Sequence, residues 1–269
     1  MRYLPTLTIA GSDSSGGAGI QADIKTMSAL GCYAMSVITA VTAQNTCGVR
    51  GAVPLPSGII KAQISAVLED IPPKAIKVGM LYDSEVIRAV SEGLQQADAP
   101  LIVDPVMVAT SGDRLLNDSA LVALRELMIP RAKLITPNLH EAEVLYGSPI
   151  TTTAELLKAG AELLQLGTES VLIKGGHVAD TQATDYLFTR YGVTTFSKPW
   201  VESQNTHGTG CTLSSAITAY MAQGMGIIDA VTSAKEYLHQ AILSGREIEI
   251  GRGHGPVDHF FNPHKSIKE

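Results

Sequence analysis

The segment Asn205-Thr206-His207-Gly208-Thr209-Gly210-Cys211 joins a glycine-rich turn to a thiol, and a helical apolar pattern follows it. Such a turn gathers unpaired backbone N–H groups at the positive end of a helix dipole. That arrangement binds phosphate at rest or stabilises charge on a phosphoryl group in transfer. Gly208, Thr209 and Gly210 are the candidate donors. Cys211 falls in the first turn, where the same field lowers a thiol pKa; the competing reading is a small buried apolar residue. Asp104 follows one apolar run, and Asn138 and Glu141 are spaced to face one way at a helix start. Asn138 and Glu141 read as an N-cap with its capping-box partner. With Asp104 they also read as a shell for a hard cation such as Mg²⁺, held mostly through water. Lys174 ends another apolar run at Lys174-Gly175-Gly176-His177. It is either a snorkelling lysine or a cation that neutralises phosphate.

Near the N-terminus, Gly11-Ser12-Asp13-Ser14-Ser15-Gly16-Gly17-Ala18-Gly19 opens a helix after a strand. Its glycines have the spacing of half a phosphate loop, but Gly17-Ala18 stands where Lys and Ser or Thr belong. The loop is a tight turn or a surface that lets backbone approach a ligand closely. Asp23, one turn into the helix, either complements the dipole or accepts a hydrogen bond from a substrate. No Ser-His-Asp order, zinc-protease motif or paired-cysteine motif is present, which removes the common hydrolase and zinc readings. His177, His207 and His254 lack ligand spacing and read as loop histidines.

The elements that must carry these residues alternate. Short β-branched runs at 7–10, 36–42, 75–78, 101–103, 134–136 and 171–173 are separated by helical patterns at 18–30, 57–68, 84–97, 119–128 and 153–166. This alternation predicts a mostly parallel sheet covered by helices on both faces, an α/β/α domain. Residues 186–188 and 193–196 predict a hairpin at one edge, and helices at 209–223 and 227–243 follow it. Ligands of such sheets sit beyond the carboxyl ends of the strands. Glycine and polar residues cluster there: Gly11 and Asp13, Gln44 and Asn45, Gly79 and Met80, Asp104, Asn138, Lys174.

The chain has 269 residues, 45% of them apolar, enough to bury a substantial core without disulfides. Twenty Lys and Arg against 26 Asp and Glu give a net charge of −6, with no basic run to suit a nucleic-acid backbone. The three cysteines leave at least one unpaired and point to a reducing compartment. No secretory h-region or apolar membrane span is evident, so a cytoplasmic protein is expected. No linker or repeat interrupts the pattern, and a single domain over 1–269 is expected.

Taken in order, these motifs resemble the ribokinase superfamily and, within it, the hydroxymethylpyrimidine/phosphomethylpyrimidine kinases of thiamine biosynthesis. The resemblance covers nearly the whole chain: Ala10 to Asp23, Thr42-Ala43-Gln44-Asn45-Thr46, Val78-Gly79-Met80-Leu81, Asp104-Pro105-Val106-Met107-Val108, Thr136-Pro137-Asn138, Lys174 to His177, Asn205 to Cys211 and Gly253-His254-Gly255-Pro256. It implies a ribokinase-like three-layer fold and an ATP- and Mg²⁺-dependent transfer to the hydroxymethyl group of an aminopyrimidine, then to the resulting monophosphate. By position, Gly11, Asp23, Gln44, Met80 and Val106 would surround the pyrimidine. Asp104, Asn138 and Glu141 would serve Mg²⁺ and the phosphates, Lys174 the phosphate tail, and Thr206 with Gly208 to Gly210 the transferring group. Lys235 would reach ATP. The resemblance also implies a homodimer. Glycines at 112–116 and 251–256 leave room for lids.

Sugar kinases of the superfamily place a catalytic Asp where this chain has Cys211. A thiolate is a workable base for a hydroxyl. Alternatives are a pyridoxine/pyridoxal kinase of the same fold or a dual activity, and a non-catalytic pyrimidine-binding protein. A dinucleotide oxidoreductase lacks its glycine fingerprint here. A phosphate acceptor is already anionic and needs no base, so the two transfers should respond differently to loss of the thiol. Cys211→Ala is expected to slow phosphorylation of the alcohol by about 10²-fold or more, and phosphorylation of the monophosphate far less. Steady-state rates on each substrate check this; equal losses contradict it.

Overall fold

The computed structural model of the chain describes residues 1–107, 117–175 and 181–268. Nine strands form one sheet in the order β3-β2-β1-β4-β5-β6-β7-β8-β9. The central strands are β1 (Pro5–Ser12), β2 (Tyr33–Asn45), β4 (Ala75–Val78), β5 (Leu101–Val103), β6 (Leu134–Ile135) and β7 (Ser170–Ile173), all parallel. One edge is closed by the antiparallel β3 (Gly48–Pro54), the other by the hairpin β8 (Gln182–Thr189) and β9 (Gly192–Pro199). The chain winds from β1 to β2, then returns across to β4 on the other side of β1. This reversal opens a crevice between the carboxyl ends of β1 and β4.

Side chains alternate across each strand, and the alternation sorts the core into two halves. Leu7, Ile9, Ile76, Val78, Val103, Ile135 and Val171 face one side. There they meet α2 (Ser57–Asp70), α3 (Ser84–Gly93), α4 (Asp118–Ala123), α5 (Leu139–Tyr146) and α6 (Thr153–Leu164). Ala75, Ile102, Leu134 and Leu172 face the other, against α1 (Gly19–Ala29), α7 (Thr209–Ala222) and α8 (Ile227–Gly245). The same period carries past the strand ends. Thr8 and Lys77 lie on the α1/α7 side, followed by Asp104, Thr136 and Lys174 just beyond β5, β6 and β7.

Local chemistry sets the boundaries. Asp83 caps α3 by accepting from the Val86 N–H at 2.8 Å. Asn138 and Thr152 each open a helix with a reciprocal capping box, and Gly147 (φ 85°) ends α5 in the left-handed conformation. The helix expected over 119–128 is regular only to Ala123. It continues as a wider turn over Leu124–Met128 and a tight one over Ile129–Arg131 that contains Pro130. Strand β3 was not expected: Gly48 and Gly51 weaken its pattern and Pro54 restricts it to an edge. Among the described residues, no helix is long and apolar enough to cross a membrane. Val108, Gly176, His177 and the lid candidate at 112–116 lie outside the described residues.

Gly160 on α6 has no room for a side chain, since a Cβ there would land on the Phe188 ring. Gly160→Ala is expected to destabilise the fold: overpacking of about 1–3 kcal/mol exceeds the helix-propensity gain of about 1 kcal/mol. A lower urea midpoint checks this, and an unchanged or higher one contradicts it.

Candidate active site

Asp104, Thr136 and Lys174 meet because three neighbouring parallel strands end together with the same phase. The Lys174 ammonium lies 2.9 Å from Asp104 Oδ1, which also accepts from Thr136 Oγ1 at 3.0 Å. Asp104 Oδ2 accepts from Ser214 Oγ at 3.3 Å, which draws the first turns of α7 onto the pair. Gly208 caps that helix with φ 80° and no side-chain cap. A Cβ on Gly208 would strike the Gly17 carbonyl oxygen, and one on Gly210 would come within 3.3 Å of Lys174 Nζ. Thr209 N–H closes a turn on the Thr206 carbonyl at 3.3 Å. The expected phosphate-facing residues Thr206, Gly208, Thr209, Gly210, Asp104 and Lys174 thus form one wall.

Glu141 stands beside this wall, and the structure shows it as the capping-box partner of Asn138. Its Oε2 accepts from the Asn138 N–H at 2.8 Å while Asn138 Oδ1 accepts from the Glu141 N–H at 2.8 Å, completing the capping box. Its Oε1 accepts from the Met107 N–H at 3.4 Å. Burial raises the Glu141 pKa to about 7; Lys174 opposes the rise and Asp104 reinforces it. Burial also disfavours charge on Asp104, but Lys174 and Lys77 outweigh it and hold that carboxyl below its usual range. Burial disfavours the Lys174 ammonium, yet Asp104 and Glu141 raise its pKa. This wall therefore keeps a cation at Lys174.

Cys211 departs from expectation. Burial pushes its thiol up to about 11; Lys77 opposes this, Asp23 and Asp104 add to it, and the Gly19 N–H bond lowers it only slightly. The helix terminus does not outweigh desolvation, so the resting group near neutral pH is a thiol.

The residues expected around the ring cluster toward the carboxyl ends of the first strands. A Cβ on Gly11 would lie 3.2 Å from Met80 Cε, which places those two expected residues together. Gln44, at the end of β2, has its Nε2 3.4 Å from His207 Nε2 on the turn before α7. Val106 is half-buried, its N–H donating to the Asp104 carbonyl at 2.8 Å. Asp23 does not face the crevice between β1 and β4. It is fully buried, with its carboxylate held by Lys77 at 2.8 and 2.9 Å, Thr8 at 2.6 Å and Ser215 at 2.6 Å. Lys235 is likewise taken up: its ammonium lies 2.6 Å from Asp185, whose other oxygen accepts from the Gly175 N–H at 3.0 Å.

Several contributing residues carried no signal in the sequence beyond their place in a motif. Asp13 accepts from the N–H groups of Gly17 (3.0 Å), Ala18 (2.8 Å) and Ser15 (2.8 Å), so the first glycine loop spends those donors internally. Asp13 Oδ2 also lies 2.8 Å from the buried His207, tying this loop to the turn before α7. The segment expected as a lid at 251–256 is fastened by Thr46, which accepts from the N–H groups of Arg252, Gly253 and His254 at 2.9–3.3 Å. Gly255 accepts from the His207 N–H at 3.0 Å.

A cation with converging N–H groups on one wall, beside a separate crevice for a small ring, suits phosphoryl transfer from a nucleotide to a small acceptor. A sequence model of the phosphomethylpyrimidine kinase family matches residues 13–258. The chain is 49% identical over 255 residues to a hydroxymethylpyrimidine/phosphomethylpyrimidine kinase of Rhizobium meliloti, covering 94% of this chain and 96% of the relative. A crystal structure of phosphomethylpyrimidine kinase from Clostridium difficile is 49% identical with a TM-score of 0.80, over 89% of this chain and 99% of that one. The pyridoxal kinase of Staphylococcus aureus, solved with AMP-PCP and pyridoxal, is 33% identical with a TM-score of 0.88, over 97% of this chain and 94% of that one. Fold and site together define an ATP-dependent phosphotransferase of the ribokinase-like class. Within that class, the chain belongs to the phosphomethylpyrimidine kinase family.

Gly208→Ala tests the wall. The left-handed backbone costs a non-glycine residue about 1–2 kcal/mol, and the Gly17 carbonyl forces the turn outward. A displacement of about 1 Å is expected to lower kcat by about 10²-fold while the fold persists. Kinetics with a thermal-unfolding control check this, and a wild-type kcat contradicts it.

Proposed function

We propose that the chain phosphorylates the hydroxymethyl group of 4-amino-5-hydroxymethyl-2-methylpyrimidine and then phosphorylates the monophosphate to the diphosphate, with ATP as donor in both steps. The observation that carries this reading is the adjacency of two half-sites. Asp104, Lys174 and the start of α7 come together as one wall suited to phosphate; Gly11 meets Met80 at the ends of β1 and β4, and Gln44 touches His207 on the turn before α7. The amide of Gln44 offers a donor and an acceptor to the edge of an aminopyrimidine.

In the first transfer the substrate oxygen attacks the γ-phosphorus, the bond to the β,γ-bridging oxygen breaks, and ADP leaves. The proton of the substrate hydroxyl passes to the sulfur of Cys211, which accepts it in the thiolate form. Lys174 and the first-turn N–H groups of α7 hold the equatorial oxygens as charge spreads over them. In the second transfer a phosphate oxygen attacks instead, and positioning against the same wall carries the step.

Mg²⁺ fits the residues present. Among the described residues, no cluster of three or more His, Cys, Asp or Glu forms a closed metal cage. Mg²⁺ needs only one or two carboxylates besides phosphate and water. Asp104 already accepts from Lys174, Thr136 and Ser214, which favours contact through water, and Glu141 flanks it. When bound with the nucleotide, the ion neutralises charge on the phosphates. Asn138 acts by holding Glu141 in place.

Product mass and ATP consumption, measured separately with hydroxymethylpyrimidine, its monophosphate, pyridoxine and ribose, test the proposal. Diphosphate from the first two supports it. Turnover of pyridoxine alone would assign the chain to the activity of its pyridoxal-kinase neighbour. Tight pyrimidine binding without turnover would make it a sensor. Glu141→Gln keeps a hydrogen-bond acceptor for the capping box but removes the carboxylate. It is expected to slow both transfers and raise the Mg²⁺ concentration for half-maximal rate by about tenfold; an unchanged Mg²⁺ titration contradicts a role at the metal.

A further inference from the structure

Gln44 sits where β2 loses regular pairing on both sides. Toward β1 the register slips between Ala10 and Ser12, and toward β3 it slips between Ala43 and Gln44. Such bulges re-aim side chains and leave backbone groups in need of other partners. Ser14 supplies them. Its hydroxyl donates to the Gln44 carbonyl at 2.6 Å and accepts from the Gln44 N–H at 2.8 Å, standing in for a strand partner just past the end of β1. Two residues on, Thr46 is gripped by the glycine strap at 251–255. Thr46 Oγ1 accepts from the Arg252 and Gly253 N–H groups at 3.3 and 3.2 Å, and its carbonyl accepts from the His254 N–H at 2.9 Å. A Cβ on Gly251 or Gly253 would collide with Thr46, so the strap lies flat on it. At its other end Gly255 accepts from the His207 N–H at 3.0 Å, which registers this segment against the turn before α7. The Gln44 amide, by contrast, makes only long contacts, 3.3 Å to Thr42 Oγ1 and 3.4 Å to His207 Nε2. Its aim is therefore set by the backbone, and the amide keeps bonding capacity for a ligand.

We propose that Ser14 and Thr46 are positioning residues for Gln44: they hold its backbone so that the amide meets the acceptor ring already oriented, and they thereby set affinity for that ring. The proposal rests on the reading of Gln44 as the group that meets the aminopyrimidine edge. Neither Ser14 nor Thr46 needs to touch the substrate. Ordering one polar side chain on binding costs about three- to tenfold in affinity, and a Gln44 fixed beforehand avoids that loss. The alcohol and the monophosphate carry the same ring, so both acceptors should share the benefit. The nucleotide, assigned to the wall around Lys174, should not.

Isothermal titration with hydroxymethylpyrimidine, alongside steady-state KM for ATP, tests this. Ser14→Ala and Thr46→Val are each expected to raise the pyrimidine Kd by about three- to tenfold, with KM for ATP unchanged. Ser14→Thr and Thr46→Ser keep the hydroxyl and should restore the wild-type Kd. In a Gln44→Ala background there is no amide to aim, so neither substitution should raise Kd further. Ser14 lies at the surface, so Ser14→Ala decides the matter should Thr46→Val fail to fold. An unchanged pyrimidine Kd, an equal change for ATP, or the same added factor in the Gln44→Ala background overturns the proposal. Wild-type protein that does not bind the pyrimidine would refute the substrate, and a Gln44→Ala variant that binds it like wild type would refute Gln44 as its contact. Additive effects of Ser14→Ala and Gln44→Ala refute the positioning role alone, so the failures are distinct.

Discussion

Helix α7 delivers its first turn to the sheet because two buried carboxylates grip neighbouring serines on it. Asp104 takes Ser214 at 3.3 Å and Asp23 takes Ser215 at 2.6 Å. Each carboxylate is in turn neutralised by a lysine from a different strand or strand end, Lys174 and Lys77. Burying such charges is costly unless they are paired and fully hydrogen-bonded, and breaking one pair from one side costs about 3–5 kcal/mol. Both pairs meet that condition, and no buried side-chain nitrogen or oxygen among the described residues lacks a partner. The result is a helix start fixed relative to the ends of β5, β6 and β7, as a phosphoryl-transfer wall requires.

The two glycine loops look alike in sequence but differ physically. In the first, the Asp13 carboxylate consumes the Gly17 and Ala18 donors, and His207 clamps it to the second. That loop is rigid scaffolding whose outer surface, with Gly11 and Met80, borders the crevice. The second ends in Gly208 with no side-chain cap, leaving the helix terminus facing Lys174. One loop is bonded within itself and the other leaves its helix start without a side-chain cap.

Much of this was legible in the sequence because strand alternation and the carboxyl-end rule act locally. Asp104 and Lys174 could be placed from their position after apolar runs, and the Asn138–Glu141 spacing gave the capping box outright. Lys77 could not be recognised, since a lysine in a short strand carries no mark of its partner 54 residues away on another element. The same kind of long-range pairing ties Asp23 to Lys77 and Lys235 to Asp185, which no local pattern announces. Cys211 shows competition between two effects. Its position announced the helix terminus, while its burial, set by tertiary packing, raised the thiol pKa instead. Strand β3 escaped because its glycines dilute the β signal and pairing with β2 supplies what local propensity lacks.

The central claim is that phosphoryl transfer occurs against the start of α7, between Lys174 and the β1/β4 crevice. A crystal structure of the protein with hydroxymethylpyrimidine and a non-hydrolysable ATP analogue tests it most directly. The account predicts the terminal phosphate on the backbone N–H groups around Gly208–Cys211 and beside Lys174, with the substrate hydroxyl turned toward Cys211. A phosphate tail seated on the Gly11–Gly19 loop, or a hydroxyl turned away from α7, would contradict it.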